Sequence, residues 1–126
     1  MAFTDEAKKL GVDVDNALQR FMGNADLLEK MIKKLPSSVY PSRFGGDKSE
    51  DLEVLSYMEK GDWETAVAKA HTLKGMMGNL SVTAFYQAYT KIVDLLRAGQ
   101  NEEAMALTKK IQAPQEELLE KIQKLS

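Results

Sequence analysis

The chain has 126 residues, 44% of them hydrophobic, which is enough for one buried core and too few for two independent ones. Charged residues make up 29% and leave a net charge of -2, so the total gives no ground for a nucleic-acid or membrane partner. The absence of cysteine excludes disulfides and thiolate chemistry, and the single histidine excludes histidine-pair metal sites.

In chain order, Thr4 caps a short helix over 5–10 that stops at Gly11. Asp13 caps a second over 14–22, in which Val14, Leu18, Phe21 and Met22 share helical spacing before Gly23. Asn24 opens a longer helix with the stripe Leu27, Leu28, Met31, Ile32 and Leu35, and Pro36 kinks or ends it. The stretch 36–46 reads as a loop, yet Val39, Tyr40 and Phe44 keep helical spacing, so that boundary stays open. From Asp47 an acidic first turn and the set Leu52, Val54, Leu55 and Met58 predict a helix of about three turns, ending at Gly61. Asp62 caps the histidine-bearing helix, which breaks near Leu80 and Ser81. The segment 82–97 follows, with Val82, Phe85, Tyr89, Ile92, Val93 and Leu96 inward and a stop at Ala98 and Gly99. Asn101 caps the last helix, with Ala104, Leu107, Ile111, Leu118, Ile122 and Leu125 on one face and Pro114 predicting a bend or break.

Amphipathic segments joined by short connections predict an all-α, antiparallel four-helix bundle. One domain fills 1–126, with short extra helices over 1–23 and the bundle over 24–126. No run approaches the roughly 20 apolar residues of a membrane span, and the opening MAFTDEAKKL lacks a signal peptide's order, so a cytoplasmic protein is expected.

At about 100° per residue the histidine helix sorts into faces. Trp63, Ala66, Ala70, Leu73, Met77 and Leu80 form the core arc, while His71 points elsewhere, among Glu64, Val67, Ala68, Lys74, Gly75 and Gly78. A glycine inside a helix costs about 1 kcal/mol relative to alanine. Two of them, at the fourth and seventh positions after His71, suggest a surface cleared for a phosphoryl group or a partner backbone. The competing account is close helix packing or the helix end, and it weighs more for Gly78 than for Gly75. Lys74, one turn on, supplies a cation for an anion attached to the ring. Imidazole is a nucleophile near neutral pH and a phosphoramidate is labile, which suits a carrier. Phosphoryl transfer otherwise needs metal ions and anion-cradling loops, and no phosphate-binding loop motif is present.

Trp63 reads as structural, as do Met31, Met58 and Met77, whereas Met76 lies off the core arc and reads as apolar docking area. Asn79, Leu80 and Ser81 form a glycosylation triplet, which without a secretory signal is coincidence. Glu64 is the nearest orienting carboxylate for general-base chemistry and reads as solvated.

Residues 70–80, AHTLKGMMGNL, resemble the signature of histidine-containing phosphotransfer domains, H-x-L-K-G followed by a small residue, Asn and an aliphatic. Segments 11–13, 61–63 and 95–99 are similar to that family's landmarks, so the likeness covers most of the chain. The resemblance implies a four-helix bundle and a phosphorelay in which His71 accepts a phosphoryl group from a receiver-domain aspartate and passes it to another. It implies that Lys74 stabilises the phosphoryl group, Gly75 leaves room for the partner and Asn79 fixes the end of the helix. Val67, Ala68, Gly75, Met76 and Gly78 are the expected docking residues. The partners implied are response-regulator receiver domains and a hybrid sensor histidine kinase, with Mg²⁺ on the receiver and no cofactor on this chain. A monomeric phosphocarrier with no kinase or phosphatase site of its own is expected, and a piece of a hybrid kinase is the alternative to a free-standing protein. Ser81 departs from the pattern, since many members have glycine there. The competing function is a helical interaction module that docks through the glycine-lined face without phosphorylation.

Overall fold

The computed structural model describes residues 2–125, Ala2 by its backbone alone. Among these residues eight α-helices follow one another: α1 (Ala2–Lys9), α2 (Val14–Arg20), α3 (Ala25–Lys33), α4 (Leu35–Val39), α5 (Val54–Glu59), α6 (Trp63–Asn79), α7 (Thr83–Arg97) and α8 (Asn101–Gln123). Two 3₁₀ turns, Pro41–Phe44 and Lys48–Glu50, lie between α4 and α5, and there is no strand among the described residues. No helix among those residues is long and apolar enough to cross a membrane.

Local chemistry sets several of these limits. The side chains of Asp13, Asn24 and Asp62 each accept a hydrogen bond from the amide three residues on, at 3.2, 3.0 and 3.2 Å, satisfying a donor that the first helical turn leaves unpaired. Gly61 and Gly99 take positive φ (76° in both) at the turns before α6 and α8, a conformation that glycine adopts without Cβ strain.

The faces α6, α7 and α8 turn inward form one apolar cluster. Ala66, Ala70, Leu73 and Met77 of α6 are fully buried, as are Ile92 and Val93 of α7, with Leu118, Leu119 and Ile122 of α8 close behind. Each buried branched or aromatic side chain contributes about 1.5–3 kcal/mol. Helix α6 packs most extensively on α7 and α7 on α8, while α5 covers another side of α6. Helices α3 and α4 add Leu28, Ile32, Leu35 and Val39 to the same cluster. Trp63 is half-buried against it.

Several local expectations are corrected. Helix α1 spans Ala2–Lys9, so Thr4 lies inside it, and Phe3 in its first turn is buried. Helix α2 ends at Arg20. The chain then turns left-handed at Met22 and Gly23, and the Gly23 amide closes on the Leu18 carbonyl at 2.7 Å, leaving Met22 94% exposed instead of inward. The stripe on α3 is narrower than expected, since Leu27 and Met31 stay exposed beside buried Leu28 and Ile32.

The open boundary at 36–46 resolves into two short helical pieces. Pro36 sits in the first turn of α4, where its missing N–H costs nothing, and the segment buries Val39 and Tyr40 while Phe44 stays exposed. The helix expected from Asp47 is only α5. Asp47 caps a single 3₁₀ turn through the Ser49 amide at 2.9 Å. Asp51 is then drawn out of helical geometry to accept from the amide and hydroxyl of Ser42, and the Leu52 amide bonds the Val39 carbonyl at 2.8 Å.

Gln100, not Asn101, stands at the cap position of α8, with no side-chain bond. Pro114 neither ends nor divides α8. Pro114 and Lys110, whose carbonyl finds no amide at Pro114, are both on the exposed side, where that carbonyl is accessible to solvent.

Beneath α8 lies a buried polar cluster. The Tyr89 hydroxyl donates to Gln115 Oε1, and Gln115 Nε2 donates to the Tyr40 hydroxyl at 3.3 Å, with Gln112 Nε2 at 3.5 Å. Arg43 stacks 3.9 Å from the centre of the Tyr40 ring and forms a two-pronged pair with Glu116 at 2.8 and 3.0 Å. No buried side-chain nitrogen or oxygen among the described residues is left without a partner.

Candidate functional site

His71 lies near the middle of α6, on the face opposite its buried residues, and is exposed. It lines an open cleft of about 470 Å³ together with Lys74, Gly75, Gly78 and Asn79 from the same helix. Neither the imidazole nor the Lys74 ammonium has a hydrogen bond or ion pair within the chain among the described residues.

The two glycines differ. A Cβ at Gly75 meets nothing within 4 Å, so no internal packing requires glycine there. A Cβ at Gly78 falls 2.8 Å from Cδ1 and 3.0 Å from Cε1 of Tyr86, so the close approach of the Tyr86 ring accounts for that glycine within the chain itself. The packing account considered for both positions therefore applies to Gly78 alone.

Three expected docking residues do not line this cleft. Val67 is half-buried against the core. Ala68 lines a separate depression with Leu52, Glu64, Thr65, Lys69 and Thr72. Met76 lies on a neighbouring apolar groove with Phe21, Met31, Leu35 and Leu80. The physical reason is angular: Met76 is five residues from His71, which puts it about 140° round the helix. Lys69 is likewise committed elsewhere, donating to the Ser49 carbonyl at 2.9 Å.

Asn79 closes the described length of α6, but its side chain makes no hydrogen bond among the described residues. The helix end is held instead by backbone bonds, the Leu80 amide to the Met76 carbonyl at 3.2 Å and the Val82 amide to the Met77 carbonyl at 2.9 Å. Ser81 supplies the turn with φ 56°, the left-handed conformation that glycine takes more readily, and it is buried.

The opposite wall of the cleft is α2, contributing Asn16 and Arg20, with Asp13 just before it. An isolated antiparallel bridge between Val12 and Val82, with the Asp13 amide on the Ser81 carbonyl at 2.9 Å, brings that helix to the α6–α7 turn. Sequence reasoning did not find this wall. Its only local signal is the spacing of Asn16 and Arg20, one turn apart on an exposed face, which is common on any helix surface.

The arrangement offers a solvent-facing imidazole, a nearby ammonium and open space above Gly75. Among the described residues no three His, Cys, Asp or Glu side chains converge as a metal site requires. Compared with known proteins, the chain matches no family model, no curated protein and no solved structure.

Proposed function

We propose that the protein is a phosphorelay intermediate of two-component signalling, an antiparallel four-helix bundle that carries a phosphoryl group on His71. The observation that carries this reading is one constellation: an exposed imidazole without an internal partner, in one open cleft with Lys74 and with a glycine that nothing inside the chain explains. In the transfer, an imidazole nitrogen attacks phosphorus of a receiver-domain aspartyl phosphate. The P–N bond forms, the P–O bond to the carboxylate breaks and the ring proton leaves to solvent; the reverse steps hand the group to a second receiver aspartate. Lys74 offsets the charge of the phosphoryl oxygens, and Gly75 admits the partner backbone. The receiver brings Mg²⁺ and its carboxylates, so this chain acts as carrier and not as enzyme. A cytoplasmic monomer that exchanges with receiver domains and a hybrid sensor histidine kinase completes the proposal.

Incubation with a radiolabelled, phosphorylated receiver domain and Mg²⁺ tests it. The expected product carries acid-labile, base-stable label, and His71→Gln abolishes that label without altering the circular dichroism. Label retained in His71→Gln sinks the reading.

The second reading, a docking module without phosphoryl transfer, draws on the apolar groove of Phe21, Met31, Met76 and Leu80 beside the cleft. It predicts receiver binding that is equally tight for wild type and His71→Gln, with no label in either.

A further inference from the structure

Arg20 shares the cleft with His71 and Lys74, and a chain of contacts holds it there. The Ser81 hydroxyl donates to Asn16 Oδ1 at 2.7 Å, and the same oxygen accepts from Arg20 Nε at 3.0 Å. Ser81 occupies a left-handed conformation that costs a residue with a Cβ about 1 kcal/mol, while its hydroxyl orients the amide that orients Arg20.

That single Nε contact engages one of the five N–H donors of a guanidinium. No carboxylate pairs with Arg20 among the described residues, and its two terminal amino groups have no partner there. Arg43 is the contrast, because its terminal amino groups are both spent on Glu116. Asp13 is the one acid lining the cleft, and one oxygen of its carboxylate caps α2 through the Asn16 amide. The cleft therefore presents a lysine on the helix of the exposed imidazole and, on the facing wall, a pre-oriented arginine fork with unspent donors.

We infer that Arg20 is a second phosphoryl-binding cation of this site, its terminal amino groups taking oxygens of a phosphoryl group borne on His71. The inference rests on the phosphocarrier reading for the presence of that group. Lysine offers a point charge, whereas the planar fork of arginine matches two phosphoryl oxygens at once. Fixing Nε on Asn16 in advance reduces the side-chain freedom lost when the anion arrives.

The test reads the charge environment of the phosphoryl group itself. The full chain is treated with phosphoramidate: an imidazole nitrogen attacks phosphorus, the P–N bond to ammonia breaks, ammonia leaves and the ring proton passes to solvent. The ³¹P chemical shift is then followed across pH, with His71→Gln identifying the signal. A neighbouring cation favours the dianion and lowers its titration midpoint, so Arg20→Ala is expected to raise the midpoint by about half a unit, given the exposure of the site. Lys74→Ala raises it comparably. Asn16→Ala, which frees Nε without removing the charge, raises it part of the way, and Arg20→Lys less than Arg20→Ala.

A midpoint in Arg20→Ala equal to that of wild type, with native circular dichroism, overturns the inference. The same proteins are offered a phosphorylated receiver. Labelling from the receiver with an unmoved Arg20→Ala midpoint removes Arg20 and leaves the relay reading standing. A raised midpoint with no labelling from the receiver does the opposite. Failure of phosphoramidate to modify His71 overturns both.

Discussion

Two of the protein's polar clusters are built on opposite terms. Beneath α8, Tyr40, Tyr89 and Gln115 are buried and bonded to one another, with Arg43 and Glu116 closing the edge. In the cleft beside α6, His71, Lys74 and the terminal amino groups of Arg20 have no partner within the chain among the described residues. Buried groups must be satisfied internally, because each orphaned donor or acceptor costs about 1–3 kcal/mol. Groups left unspent in an open cleft cost little while water serves them, and they are available to something that docks. The difference separates polar residues that the fold uses from polar residues that it leaves unused.

The contrast predicts effects of different kinds, the largest at the buried cluster. Gln115→Leu keeps the volume but strands the Tyr89 hydroxyl and weakens the support of Tyr40. It is expected to cost about 2 kcal/mol in urea denaturation while labelling at His71 is unchanged under native conditions. Adding Tyr89→Phe removes the stranded group and should recover part of that loss. If the double variant is no better than Gln115→Leu, the cluster is not a hydrogen-bonded unit.

Alkaline unfolding probes the same cluster. Burial, reinforced by Tyr40, pushes the Tyr89 hydroxyl well above its ordinary value of 10.0. The folded state thus holds the proton more tightly than the unfolded chain. The stability this confers is complete below pH 10.0 and is lost as pH rises from there toward the folded value. In Tyr89→Phe the decline of the denaturation midpoint above that pH should be shallower than in wild type.

The glycines sharpen the comparison within one helix. Gly75→Ala should stabilise by about 0.5–1 kcal/mol through helix propensity alone, since its Cβ meets nothing. Gly78→Ala must displace the Tyr86 ring and should lie about 1 kcal/mol below Gly75→Ala. Equal stabilities show that Tyr86 yields freely. At the cleft, Gly75→Glu should keep helical circular dichroism and slow transfer from the receiver; unchanged transfer means the partner approaches another face.

The smallest effect is expected at Ser81. Ser81→Gly relieves a positive φ and loses one part-buried hydrogen bond, so the stability change should stay within about 0.5 kcal/mol.

The elements that read correctly from sequence are those governed by nearest neighbours. The caps Asp13, Asn24 and Asp62 act within three residues, and the buried set Ala66, Ala70, Leu73 and Met77 follows from helical angle alone. The segment between α4 and α5 misled because its conformation is decided by Ser42 meeting Asp51 and Val39 meeting Leu52, contacts that no local pattern announces. The cleft divides in the same way. His71, Lys74, Gly75 and Gly78 share a face by periodicity, but Arg20 lines the same cleft through contacts such as the pairing of Val12 with Val82, far along the chain. Gly75 and Gly78 looked alike because the sequence does not show where the Tyr86 ring lies.

The Val12–Val82 bridge also sets a hierarchy of opening. It is a single rung, made by the Asp13 amide on the Ser81 carbonyl and supported by the Asn16–Ser81 contact, whereas α6, α7 and α8 share a continuous interior. Undocking α2 thus exposes far less apolar surface than separating the long helices, and it belongs to the low-energy end of local unfolding. Amide hydrogen exchange should show this order, with the Asp13 amide exchanging well before that of Ile92. The cleft can then widen on its α2 side while the interior that holds His71 in place stays closed.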